Sequence, residues 1–226
     1  MKTTMKRLYV SLMLMTMYRL RVLAQVTPTT PDVKLFCDGS TLDLGTPPVG
    51  TDWIVRYSTT PTDTPTEGIV LNGNIISAAD LNSGYYYIIS KGTDAGACES
   101  EMQEVPVYKF AALVVDFTAP TSYCIEDVAS QEFTGSATST DSYTSLAYQW
   151  YTVNAGVETA ISGATSITYK PSETVTPGTE TTYRLKAGYL VDGLRYCSAI
   201  VDKAISVTVK PAKPTITISG VTGEAL

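Results

Sequence analysis

In Ile205-Ser206-Val207-Thr208-Val209-Lys210 apolar and polar residues alternate strictly, and Tyr183-Arg184-Leu185-Lys186-Ala187 repeats the pattern. Successive side chains of a strand point to opposite faces, so each run buries one face and wets the other. No window sustains a helical period. Short strand-like runs recur instead between Gly, Pro, Asn and Asp: Trp53–Tyr57, Gly68–Leu71, Tyr85–Ser90, Val105–Val115, Ala147–Val153, Ser166–Tyr169, Thr182–Ala187 and Ala204–Lys210. Many short strands set apart by turn residues predict an all-β sandwich or barrel.

The chain also repeats itself. Each half runs Cys, Trp, a Tyr-containing strand ending in Gly, then Cys: Cys37, Trp53, Tyr87–Gly92, Cys98, and then Cys124, Trp150, Tyr183–Gly188, Cys197. Trp to Tyr spans 34 residues in the first half and 33 in the second, while Cys to Trp spans 16 and 26. The extra residues fall in Ser136–Ser145, a Ser/Thr-rich stretch that reads as a longer loop, where insertions are tolerated. Duplication is the simplest account of four landmarks in one order. It predicts tandem immunoglobulin-like β-sandwiches over residues 33–117 and 118–211, with the boundary near Asp116–Ala119. Lys213–Gly220 reads as the first strand of a third repeat, making residues 212–226 a truncated copy.

Four cysteines allow three connectivities. Duplication selects Cys37–Cys98 and Cys124–Cys197, since each unit should be self-contained. A metal site is disfavoured: no Cys-x-x-Cys occurs and the chain has no histidine. One tryptophan per half, at matching places, reads as a core anchor in each unit. Tyr87 and Tyr183 are candidates for a tyrosine corner, in which the hydroxyl bonds to nearby backbone.

The N-terminus carries Lys2, Lys6 and Arg7 ahead of an apolar stretch from Leu8 to Tyr18, then Val22-Leu23-Ala24 before Gln25. That is the layout of a signal peptide over residues 1–24, although Arg19 and Arg21 depart from it. Residues 25–32 follow as a Pro/Thr lead-in. The expected location is therefore secreted, extracellular or cell surface, where cysteines pair. No stretch of 18 or more apolar residues predicts a membrane span. A formal net charge of -6 and a pI near 4.7 argue against nucleic acid.

Zero histidines exclude the usual Ser/His/Asp and Cys/His arrangements. There is no Gly-rich phosphate loop and no Asp-x-Asp-x-Asp calcium loop, so no cofactor is expected.

The second half carries Tyr148-Gln149-Trp150-Tyr151, then Ile161-Ser162-Gly163-Ala164-Thr165-Ser166, Thr182-Tyr183-Arg184-Leu185, Cys197, and Val207-Thr208-Val209. These motifs resemble the Ig-like repeats of bacterial cell-surface proteins, including gliding-associated adhesins and other secreted multidomain proteins. The resemblance covers residues 118–211. It is looser over 33–115, where Asp52-Trp53-Ile54 replaces the Gln-Trp-Tyr core and the Gly-Ala-Thr turn is missing. It implies a non-catalytic stalk or adhesive module with further repeats of the same polypeptide as neighbours, and it fixes no ligand-binding residues. Two rivals accompany it: a carbohydrate-binding or spacer segment of a secreted enzyme, and a fimbrial subunit that donates a strand.

One patch stands out. Tyr85-Tyr86-Tyr87-Ile88-Ile89 is apolar on both faces, and the second half has Thr182 and Arg184 where the first has Tyr86 and Ile88. Tyr108 and Phe110 extend it. Tyr86, Ile88, Tyr108 and Phe110 are thus the candidate contact surface for a glycan or protein ligand. The competing explanation is a neighbouring domain or a loop crossing that face.

Overall fold

The structure is a computed structural model describing residues 25–172, 176–178 and 180–216. The predicted leader and most of the predicted third repeat lie outside the described residues, and residues 211–216 form no strand. Apart from one 3₁₀ turn, Ile125–Ser130, every regular element among the described residues is a strand. The chain forms two compact units.

Unit 1 holds the described residues up to Ala112, together with Thr140–Ser145 and Leu190–Cys197. Its strands are β1 (Lys34–Phe36), β2 (Leu42–Asp43), β3 (Thr51–Ser58), β4 (Glu67–Ile69), β5 (Ile75–Ile76), β6 (Gly84–Gly92) and β7 (Gln103–Lys109). They make a five-stranded sheet, β1-β7-β6-β3-β4, and a pair, β2-β5. β1 runs parallel to β7, with Lys34 opposite Val107, and the other pairings are antiparallel.

Unit 2 holds Leu113–Ser139, Leu146–Tyr189 and the chain from Ser198. Its strands are β8 (Val114–Thr118), β9 (Ser122–Cys124), β10 (Phe133–Thr138), β11 (Leu146–Asn154), β12 (Val157–Ala160), β13 (Thr168–Tyr169), β14 (Glu180–Val191) and β15 (Leu194–Thr208). Its sheets are β12-β11-β14-β15-β9 and β13-β10-β8. Here too the short early strand, β9, runs parallel to the last, β15. An early strand added parallel to the last, with the chain crossing between two sheets, is the immunoglobulin-like β-sandwich.

Alternation explains the cores. In unit 2 Phe117 and Phe133 from the three-stranded sheet meet Trp150, Tyr183, Leu185, Ile205 and Val207 from the five-stranded one. Trp150 is fully buried and packs edge-on to Phe117 with ring centroids 5.0 Å apart. Its indole N–H donates to the Ser166 carbonyl at 2.9 Å, so the ring enters the core with its polar edge satisfied. Gly135 lets the sheets close: a Cβ there would sit 2.6 Å from Leu185 Cδ2 and 2.7 Å from the Ile167 carbonyl oxygen. In unit 1 Val55 and Tyr57 of β3, Ile76 of β5, Leu81, Tyr86 of β6 and Val107 of β7 form the core.

Trp53 is not the counterpart of Trp150. It is half-buried and lies outside that core, with its indole N–H on the Gly45 carbonyl at 3.1 Å. The register gives the reason. Trp150 pairs with Leu185, two residues past Tyr183, whereas Trp53 pairs with Ser90, four past Tyr86. Val55, opposite Ile88, takes the central position, and Trp53 is displaced toward the end of the strand.

The corner tyrosine of unit 1 is Tyr86 rather than Tyr87. Its hydroxyl accepts from the Asn82 N–H at 2.8 Å and lies 3.1 Å from the Asn82 carbonyl, four residues upstream. The Tyr87 hydroxyl instead accepts from the Thr62 N–H at 2.7 Å, so the loop after β3 covers that face of β6. Tyr183, the other corner candidate, forms no corner, since its buried hydroxyl has no backbone partner, and its core-facing counterpart in unit 1 is Tyr86, one residue before Tyr87. A slip of one exchanges the two faces of a strand, so Tyr86 was assigned to the surface while it faces the core.

Two predictions rest on this corner. Tyr86→Phe leaves the Asn82 N–H without its acceptor and is expected to cost roughly 1–2 kcal/mol in urea unfolding. Burial is also the main cause that pushes the Tyr86 phenol up, to about 12 from 10.0. A raised folded value means that its contribution is complete below pH 10 and is lost as pH rises through about 12. Tyrosine absorbance should thus show a late-titrating group whose ionisation coincides with loss of the β-sheet circular dichroism signal.

The predicted single strand Val105–Val115 is two. β7 ends at Lys109 and β8 begins at Val114, and the two belong to different sheets. The Ala111 N–H between them donates to the Asp141 carboxylate at 2.9 Å rather than to a ladder partner. The units accordingly divide at Ala112 and Leu113, against an expected boundary near Asp116–Ala119.

Candidate functional site

One connected set of specific interactions in unit 1 joins three separated stretches of sequence. The first is the end of β7 and the residues after it. Phe110 is fully buried, and its N–H donates to the Phe36 carbonyl at 2.9 Å, which holds the chain just before Cys37. The second is Thr140–Ser145. Asp141 accepts from the Tyr108 hydroxyl, from the Ala111 N–H, and from the Tyr143 N–H at 2.8 Å, so one carboxylate fixes both stretches.

The third stretch is Leu190–Cys197, the tip of a hairpin made by β14 and β15. Asp192 and Gly193 both have positive φ, +49° and +78°, as a two-residue primed turn requires. The Tyr143 hydroxyl donates to the Leu190 carbonyl at 2.6 Å, and the Leu190 N–H to the Ser145 carbonyl at 3.0 Å. The Phe110 ring meets Tyr108, Tyr143 and Tyr196 at centroid distances of 5.1, 6.1 and 6.4 Å.

This tip carries Cys197, which is bonded to Cys37 with Cα atoms 5.3 Å apart. Cys98 and Cys124 are free, the first exposed and the second half-buried. The expected pairs Cys37–Cys98 and Cys124–Cys197 are thus corrected to one bond across 160 residues. The reason is the reach of the hairpin. β14 and β15 run on past the residues of unit 2, and Cys197 is carried into unit 1. There its backbone leaves the extended region, with φ at +51°, a local break of the kind that re-aims a side chain out of strand alternation.

The candidate contact surface is corrected by the same packing. Tyr86 lies in the core, Ile88 is half-buried, Phe110 is covered by Tyr143 and Tyr196, and Tyr108 is buried against Phe110 with its hydroxyl on Asp141. The apolar patch is a seat for the chain's own later residues. The Ser/Thr-rich stretch read as a plain loop, Ser136–Ser145, contributes Asp141 and Tyr143 to it. The Asp192-Gly193 pair between Tyr189-Leu190-Val191 and Leu194 was the signal for the hairpin.

Beside this cluster lies a cavity of about 320 Å³ lined by Val26, Pro28, Ser83, Tyr108, Ser142 and Tyr143, among others. The lead-in is therefore part of the fold. Val26 and Pro28 are buried, and Thr27 to Thr30 form a turn, with the Thr30 N–H on the Thr27 carbonyl at 3.0 Å.

On the sheet of unit 2, Arg184 forms a two-toothed bond to Asp202, 2.7 Å at each contact, and reaches Glu158 at 2.9 Å. Lys186 joins Glu158 at 2.7 Å and lies 4.8 Å from the centre of the Tyr151 ring. The bond from Arg184 holds the Asp202 carboxyl below its usual value, and bonds from Lys186 and Arg184 do the same for Glu158. Each charge has its partner within the chain, so this face is a neutralised ladder of modest energetic weight. Among the described residues, no group of three or more Cys, Asp or Glu side chains is placed to hold a metal ion.

No protein-family model matches the chain, and no curated protein matches it. Among solved structures it is similar to an amphioxus IgVJ-C2 molecule, at 13% identity and a TM-score of 0.33, over 76% of this chain and 99% of that one. It is also similar to fibronectin(III)-like modules of Clostridium thermocellum CbhA, at 15% identity and a TM-score of 0.37, over 85% and 97%. A marsupial T cell receptor matches at 12% identity and a TM-score of 0.38, over 82% and 73%. The assignment of the fold rests on the strand order and parallel first-to-last pairing described above.

Proposed function

We propose that the chain is a non-catalytic extracellular module that serves a bacterial surface protein as a structural or adhesive element. The observation that carries this reading is the Cys37–Cys197 bond, which closes 160 residues of an Ig-like chain and needs an oxidising compartment to persist. The histidine-free sequence supports a non-catalytic role. The bacterial surface assignment rests on the resemblance of residues 118–211. The strand-donating alternative is less favoured, because both five-stranded sheets already hold their own last strand, β7 and β15.

The test is a screen of the oxidised, purified chain against glycans and extracellular-matrix proteins, with the thiol count read in parallel. Two free thiols and a reproducible ligand support an adhesive module. Two free thiols and no ligand support a structural spacer. Four free thiols in protein recovered from an oxidising compartment, or hydrolysis of any glycan in the panel, would overturn the reading.

A further inference from the structure

We infer that the Cys37–Cys197 bond is a tension bypass, which takes the chain between the two cysteines out of the covalent path of force applied at the two ends. The inference rests on the proposed surface role only for its biological setting; its physics follows from chain order.

Covalent connectivity fixes where tension runs. A pull on the N-terminal side enters through residues 25–36 and reaches Cys37, where the disulfide offers a direct path to Cys197. From Cys197 it leaves through residues 198–216. Everything from residue 38 to residue 196 lies inside the closed loop and is slack with respect to the ends. That loop contains β2 to β14 and the first three residues of β15. It includes Trp150, with Phe117, Phe133, Tyr183 and Leu185 of its core, and the Asp141 cluster, whereas Ile205 and Val207 of that core lie beyond Cys197. Only β1 and the remainder of β15 lie on the tension path.

Two bonds paired within the halves would act differently. With Cys37–Cys98 and Cys124–Cys197, tension would cross residues 99–123, which contain β7 and β8. The long hairpin that delivers Cys197 into unit 1 removes that exposed crossing. Its anchoring also serves this end. Tyr143 holds Leu190, Asp141 holds Ala111, and Phe110 holds Phe36, so both cysteines sit on backbone pinned from inside the loop. Reduction converts the bypass into an extensible chain, which makes the device redox-sensitive.

The experiment is single-molecule extension of the whole chain, held by handles at its two ends, with and without reductant. The oxidised chain is expected to stop short of the reduced one by the 160-residue loop, a difference of about 550 Å at full extension. The Cys98→Ser/Cys124→Ser double variant leaves the bonded pair intact and is expected to keep the whole difference. Equal final lengths with and without reductant would overturn the inference, as would loss of the difference in the double variant. The outcome is separable from that of the ligand screen. A full length difference with no ligand keeps the bypass and removes adhesion, and a ligand with no length difference does the reverse.

Discussion

Trp150→Ala is expected to destabilise unit 2 by about 3–5 kcal/mol, the range for removing a large buried aromatic from a core. The ring is fully buried and lies against Phe117, Phe133 and Tyr169 at centroid distances of 5.0, 6.2 and 5.6 Å. Alanine removes the shared partner of all three and leaves the Ser166 carbonyl without its donor. A unit of this size has roughly 5–14 kcal/mol of net stability. The variant should therefore show an early transition in thermal or urea unfolding followed by circular dichroism. Trp53→Ala is the control. That ring is half-buried at a strand end, and its loss should cost under about 2 kcal/mol. Equal losses at the two tryptophans would show that they are equivalent after all.

Cys197→Ser should lower stability by about 5 kcal/mol on the chain-entropy account of closing a loop that long. The bond spans 160 residues, so its loss frees the largest loop that any pair of these cysteines can close. Cys37→Ser and the double variant should match it, because the first substitution already breaks the bond. Reductant should bring the unsubstituted protein to the same melting temperature. Cys98→Ser should shift it by no more than about 0.5 kcal/mol equivalent, since Cys98 is free and exposed. A large loss at Cys98 would instead signal a second bond.

These two experiments separate what each half of the chain makes legible. In unit 2 the strict alternation of Ile205 to Lys210 and of Tyr183 to Ala187 marks the buried face one residue at a time. The structure places Ile205, Val207, Tyr183 and Leu185 in the core accordingly. In unit 1 the run Tyr85 to Ile89 is apolar on both faces, so its period carries no phase. Its orientation is set by what covers each side: the sandwich core over Tyr86, and the loop at Thr62 over Tyr87. The candidate contact surface failed for that reason. An apolar residue calls for cover, and the pattern alone does not say whether the cover is a partner or the chain itself.

The sequence by itself determined the all-β class, the fully buried Trp150 and the alternating strands of the second half. Those features depend on side-chain period and turn chemistry, which act over a few residues. The tertiary structure alone decided which cysteines bond, which tyrosine forms the corner and what covers Phe110. Each depends on residues far apart in the chain meeting in space. Cys197 reaches Cys37 because a strand pair longer than its sheet carries it there, and the same reach sets Tyr196 against Phe110, which Tyr143 of the Thr140–Ser145 stretch also covers. A duplicated pattern implies self-contained halves only while no strand outgrows its own half. The length of β14 and β15 is where that condition fails.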